Sequence, residues 1–178
     1  MRIRFDVDDP ALRDAFLRTL MVRALASLQP QEPARWGGMT ALQMVEHLLW
    51  SFELSTGHAQ TDCPVPEERR GRMKAFLYSN DPMPHEFRNP VLTQGLPPLR
   101  FSGLPEATAA LRAEAERFLE QAAPGSTSTH MHPVFGPLVE EEWSRSHFKH
   151  GCHHLLQFGL IETEALRPGA GATGAAPR

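Results

Sequence analysis

"VEEEWSRSHFKHGCHHLLQFG", residues 139–159, holds four of the chain's nine histidines between an acidic opening and a glycine. Glu140, Glu141 and Glu142 suit the positive end of a helix dipole, and Gly159 suits the residue that ends a helix. Wound at about 100° per residue, the stretch puts Trp143, His147, His150, Gly151, His154 and Phe158 on one stripe, with Ile161 continuing it. Trp143, Phe158 and Ile161 are apolar, so the stripe must face an interior, and three imidazoles enter with it. Burying a polar group without a partner costs on the order of a few kcal/mol, so each imidazole has to meet something. His153 stands about 100° of rotation from His154 and cannot share what its neighbours hold.

An interior of that kind needs other helices. The first is expected from Pro10 to Leu28, with Asp9 as N-cap, Pro10 at the first helical position, and Leu12, Phe16, Leu20, Val22, Leu25 and Leu28 spaced mostly by three or four. The second opens in "MTALQMVEHLLWSF" (39–52), where Thr40 and Gln43 form a capping box. The third is "LPEATAALRAEAERFLEQA" (104–122). No sustained period-two run makes a strand, so the expected fold is an all-α four-helix bundle over residues 1–166. A long crossover joins helices 2 and 3, from about Gly57 to Gly103, with one short helix near Glu68–Tyr78. Connections of that length are usually functional or lid-like in a compact domain. The tail "RPGAGATGAAPR" (167–178) is expected to be disordered.

Composition narrows the function classes. With 178 residues, 41% of them hydrophobic, the chain fits one domain with a substantial core. A net charge of -3 argues against a nucleic-acid partner. The basic run "EERRGRMK" (67–74) begins with Glu67 and Glu68 and reads as a solvated face. No apolar stretch approaches the ~18 residues of a membrane span. The start "MRIRFDVDD" has charges where an export signal needs an apolar core, so a cytoplasmic location is expected. Cys63 and Cys152 lie far apart, without a C-x-x-C, and give no disulfide framework.

The chemistry rests on the histidines. His150 and His154 stand at i and i+4, a spacing that lets two imidazoles grip one ion. His47 sits among Met44, Val45, Leu48 and Leu49, an apolar neighbourhood for an imidazole on a second helix. Helix bundles build metal sites from side chains on facing helices, and three histidine ligands leave an open position of the catalytic kind. Neutral imidazole suits Zn²⁺, Ni²⁺, Fe²⁺ and Cu²⁺, with zinc or nickel the expected ion here. The alternative is that all three are core histidines satisfied by hydrogen bonds.

Three stretches carry a family resemblance: "WGGMTALQMVEHL" (36–48), "HPVFGPLVEEEW" (132–143) and "KHGCHHLLQFG" (149–159). With the helices, they make residues 8 to 165 resemble the DinB/YfiT-like superfamily, in its branch with W-G-x-M-x-x-x-Q-M-x-x-H and H-P-x-F-G-P-L-x-x-E-E-W motifs. The resemblance implies a four-helix bundle, often a homodimer, with a three-histidine divalent metal site at His47, His150 and His154. It also implies, more loosely, a metal-dependent transferase or isomerase using a low-molecular-weight thiol. Val139 stands where relatives have a polar N-cap, and His147 is outside the superfamily's triad.

Other residues compete for roles. His147 is either a base close to the metal or a polar residue at the cavity mouth, and His130 and His132 suit a turn before Pro133 better than ligation. Cys152 points away from the stripe and reads as an inert buried thiol; Cys63 has nothing nearby to lower its pKa. Trp36, Trp50 and Trp143 read as packing, and Glu46 points about 100° away from His47, a poor place for a general base. Any chemistry therefore falls to a metal-bound water or thiolate acting on a small-molecule substrate. Two functional classes remain: a metal-dependent thiol transferase or hydrolase, and a non-catalytic metal-binding stress-response or ligand-binding module.

Overall fold

The computed structural model describes residues 1–85, 87, 89–93, 95–121 and 128–164. The 167–178 tail lies outside them. The chain is mainly helical, with two small two-stranded sheets that the sequence reading did not anticipate.

β1 (Arg2–Arg4) is followed by α1 (Pro10–Ala15), a wide π-helical turn over Phe16–Leu20, and α2 (Met21–Leu25). The Asp9 carboxylate caps α1 by accepting the Leu12 N–H at 3.0 Å, and Pro10 takes the first position as expected. The expected single helix to Leu28 is thus interrupted at Phe16–Leu20 and ends three residues early, in turns closed by Ser27 and Leu28 N–H bonds. α3 (Ala41–Thr56) starts at the foreseen capping box: the Thr40 N–H donates to Gln43 Oε1 at 2.9 Å, and the Gln43 N–H to Thr40 Oγ1 at 3.2 Å. α4 (Glu67–Ala75) lies in the crossover, buries none of its side chains, and runs into a short 3₁₀ turn at Phe76–Tyr78. α5 (Leu104–Gln121) packs most extensively against α3.

β2 (His130–His132) and β3 (Gly136–Leu138) form an antiparallel hairpin that leads into α6 (Glu140–Gln157). Val139 has no side-chain acceptor, yet α6 begins there because the Glu142 carboxylate reaches back to the Val139 N–H at 3.1 Å. Gly159, at φ +69°, follows the last turn. β4 (Glu162–Glu164) then returns to pair in parallel with β1, Ile3 opposite Thr163. The residues behind that ladder alternate: Ile3, Phe5 and Val7 are buried, while Arg2 and Arg4 are exposed. Three apolar positions are too few to stand out as a period-two run, and the pairing spans nearly the whole chain.

α6 is the central element. The foreseen inward stripe is buried at Trp143, His147, Gly151, His154, Phe158 and Ile161. Phe148, Lys149, Cys152 and Leu155 on its other sides are buried too. Phe5 and Phe16 cover Phe148, with ring centroids at 5.4 and 5.1 Å. The crossover covers Lys149, whose ammonium donates to the Phe76 and Ser79 carbonyls at 2.7 and 2.6 Å and lies 3.7 Å above the Phe76 ring. Gly151 makes this coverage close: a Cβ there would stand 2.7 Å from Phe16 Cε1. Arg13, only 2% exposed, clamps the first helical segment to α6 through both Glu141 oxygens, at 2.7 and 2.8 Å.

Candidate metal centre

α3 and α6 bring His47, His150 and His154 together. The His150 Nε2 atom lies 3.0 Å from Nε2 of His47 and 3.0 Å from Nε2 of His154. All three ligand atoms fall within 4.8 Å of one another. Among the described residues, this is the group of histidine, cysteine and acidic side chains placed to hold an ion.

The tautomer of His154 is set by a residue that the sequence reading missed. The Gln157 side-chain N–H donates to the Trp36 carbonyl at 2.8 Å, which turns its Oε1 toward His154 Nδ1 at 2.8 Å. His154 must carry its proton on Nδ1 to make that bond, so its Nε2 presents a lone pair to the triad. Gly37 leaves room for this arrangement. A Cβ at that position would come within 2.9 Å of Gln157 Nε2, and its φ of +73° also favours glycine. The i, i+3 spacing of His154 and Gln157 was a readable signal; the Trp36 carbonyl was not.

Burial keeps the three imidazoles neutral. Desolvation, aided by the nearby His153, pushes His47 down to about 4. His150 and His154 are held well below the ordinary histidine value, first by desolvation and then by neighbouring imidazoles. Neutral rather than charged imidazoles therefore converge at neutral pH. Three neutral nitrogen donors, one with a fixed tautomer, are the chemistry a divalent transition-metal ion takes.

The remaining candidates go elsewhere. His147, 1% exposed, is neither a base beside the triad nor a residue at a cavity mouth. It stacks on Phe52 at 3.8 Å between centroids, packs against Phe118 and Trp143, and its Nε2 bonds Ser55 Oγ at 2.9 Å. His132 has the turn role: its Nδ1 accepts the N–H groups of Val134 and Phe135 at 3.0 and 3.3 Å. The His130 carbonyl accepts the Trp143 indole N–H at 3.3 Å. His153 packs edge-on against Trp36 and lies outside the triad. Cys152 is fully buried and its thiol is pushed far up by desolvation; Cys63 is half-buried and free.

Glu46 is structural. Its carboxylate accepts the backbone N–H groups of Arg100, at 2.9 and 3.1 Å, and of Phe101, at 3.0 Å. This pins the strap 96–101 across α3 beside His47. Trp143 is core, as expected, whereas Trp50 lines a cavity of about 100 Å³ shared with His47 and Trp36 lines one of about 180 Å³ shared with His85 and His153.

No described helix is long and apolar enough to cross a membrane. No family model, curated protein or solved structure matches this chain.

Proposed function

We propose that the chain is a divalent-metal protein of the DinB/YfiT-like four-helix-bundle type, acting as a metal-dependent transferase with a low-molecular-weight thiol, or as a hydrolase. The observation that carries this reading is the convergence of the His47, His150 and His154 Nε2 atoms at 3.0 Å spacings, with Gln157 holding the proton of His154 on Nδ1. Support for such a bundle comes from the N-terminal helical segment, α3, α5 and α6, which would be its four helices.

His47, His150 and His154 would hold the ion, zinc or nickel. Bound there, a divalent ion supplies Lewis acidity, lowering the pKa of a coordinated thiol or water and polarising an electrophile. The protein's own contribution is orientation and exclusion of water. Gln157 fixes the ring of His154, and desolvation keeps the three imidazoles neutral. Two free cysteines support a cytoplasmic setting, and the family resemblance supports a homodimer.

Metal analysis of the purified protein, followed by anomalous scattering at the zinc and nickel edges, tests the ion. Close to one ion per chain is expected, bonded to the three Nε2 atoms. Failure to retain or bind zinc or nickel at micromolar concentration would overturn the reading. The exposure of His47 to a cavity favours an enzyme over a non-catalytic binding module, and thiol consumption that vanishes with the metal and returns on reloading is the expected discriminating result.

A further inference from the structure

The cavity bordered by His47 has walls that specify an occupant. On the α3 side they are Gln43, Glu46, His47 and Trp50; on the strap side they are Leu96, Pro97, Pro98, Leu99 and Arg100. The charged groups among them are already spent. Glu46 is committed to backbone N–H groups of the strap, and Arg100 Nη1 pairs with Glu53 Oε1 at 2.9 Å. Gln43 Oε1 is taken by the Thr40 N–H. The surface left to a visitor is chiefly indole, leucine and proline, and Leu99 stands 48% exposed as one edge of it.

We propose that this cavity is a specificity pocket for a short, uncharged apolar arm of about four carbons, carried by the small molecule presented to the histidine triad. The size follows from volume. An apolar cavity of about 150 Å³ holds benzene, roughly 25 Å³ per carbon. The cavity here measures about 100 Å³. The preference for a neutral arm follows from the absence of a spare counter-charge, since a charged group would lose its hydration without a partner. The gain on filling comes from covering Leu99 and Trp50, and each buried methylene is worth about a fourfold change in affinity. Glu46 acts as a positioning residue, because it holds the strap that forms the outer wall. The proposal rests on the metal-centre reading for the head group of the ligand, though not for the pocket itself.

The test uses neutral 1-alkanols from ethanol to 1-hexanol, titrated into the full chain as purified and followed by the Trp50 indole N–H resonance. These probes need no metal, so the pocket and the metal centre are judged separately. The expected result is about fourfold tighter binding per added carbon up to four, then a plateau. Leu99→Lys, at an exposed position that a lysine tolerates, should abolish the chain-length dependence while leaving the measured metal content unchanged. The pocket is overturned if the Trp50 response ignores chain length, or if Leu99→Lys retains it. A protein that shows the series but neither retains nor binds zinc or nickel would sink the metal-centre reading and leave the pocket standing.

Discussion

His147 and His150 stand one turn apart on the same helix, both with lowered pKa values, and end in opposite situations. His147 is clamped between Phe52 and Trp143, and its Nε2 is committed to the hydroxyl of Ser55. The Ser55 hydroxyl itself donates to the Phe52 carbonyl, so it can only accept from His147, which must then be protonated on Nε2. His150 meets two more imidazoles, and its Nε2 faces His47 and His154 with no carbonyl, hydroxyl or carboxylate between them. Burial alone therefore does not mark a ligand. His147 turns its Nε2 to a hydroxyl and leaves its buried Nδ1 without a partner, whereas His150 turns its Nε2 to two other imidazoles.

The largest expected effect breaks the comparison at its functional side. His150→Ala or His154→Ala should lower zinc or nickel affinity by more than the roughly 100-fold that outer-shell changes reach. Metal content after dialysis against a competing chelator measures this, and full occupancy in both variants would refute the triad.

On the other side, His147→Ala should leave the metal in place and destabilise the fold by about 3 kcal/mol, the low end for emptying a buried ring site. Urea unfolding of the variant gives the number. Metal loss with an unchanged urea midpoint would mean that His147 belongs with the ligands.

Gln157→Leu sharpens the tautomer argument. It removes the acceptor that holds the proton on His154 Nδ1, and metal affinity should fall about 10- to 100-fold. An unchanged affinity would show that the Gln157 bond is incidental.

Acid should find the structural histidines even in metal-loaded protein. Desolvation pushes His132 down to about 3 and His147 well below its ordinary value. Their stabilising contribution is fully present above about pH 6.5, where the unfolded chain is also unprotonated. It is lost progressively as pH falls from there toward 3, because only the unfolded chain takes up the protons. Each imidazole then accounts for up to about 2 kcal/mol between pH 7 and pH 5. The urea midpoint should start to drop near pH 6.5, and His147→Phe should flatten part of that decline. A midpoint constant down to pH 5 would contradict the assignment.

The smallest effect belongs to His153, which touches the triad's neighbourhood without joining it. His153→Ala should keep the metal and cost about 1 kcal/mol for its lost bond to the Met83 backbone. Loss of metal with the fold intact would mean that the register of α6 has been misread.

Much of this was legible because it is local. Helical periodicity put His147, His150 and His154 on one inward stripe and His153 off it, and the capping box at Thr40 and the stop at Gly159 depend on residues a few positions apart. What escaped was non-local or masked by a second role. The β1–β4 ladder joins Ile3 to Thr163, and its three apolar positions were too few to read as a strand. Glu46 looked like a weak base because its strap lies more than fifty residues away, at Arg100 and Phe101.

By itself the sequence determined a helical chain with a histidine-bearing helix at its centre, because the 3.6-residue period and the caps act within a turn or two of each residue. Only the tertiary structure decided which of the three inward imidazoles on α6 turn Nε2 toward another imidazole. That choice depends on what each nitrogen meets across the interior: Ser55 for His147, His47 for His150, and Gln157, itself held by the carbonyl of Trp36, for His154. A helical pattern gives the direction in which a side chain points but not the donor or acceptor waiting there, since that partner arrives from another element through packing.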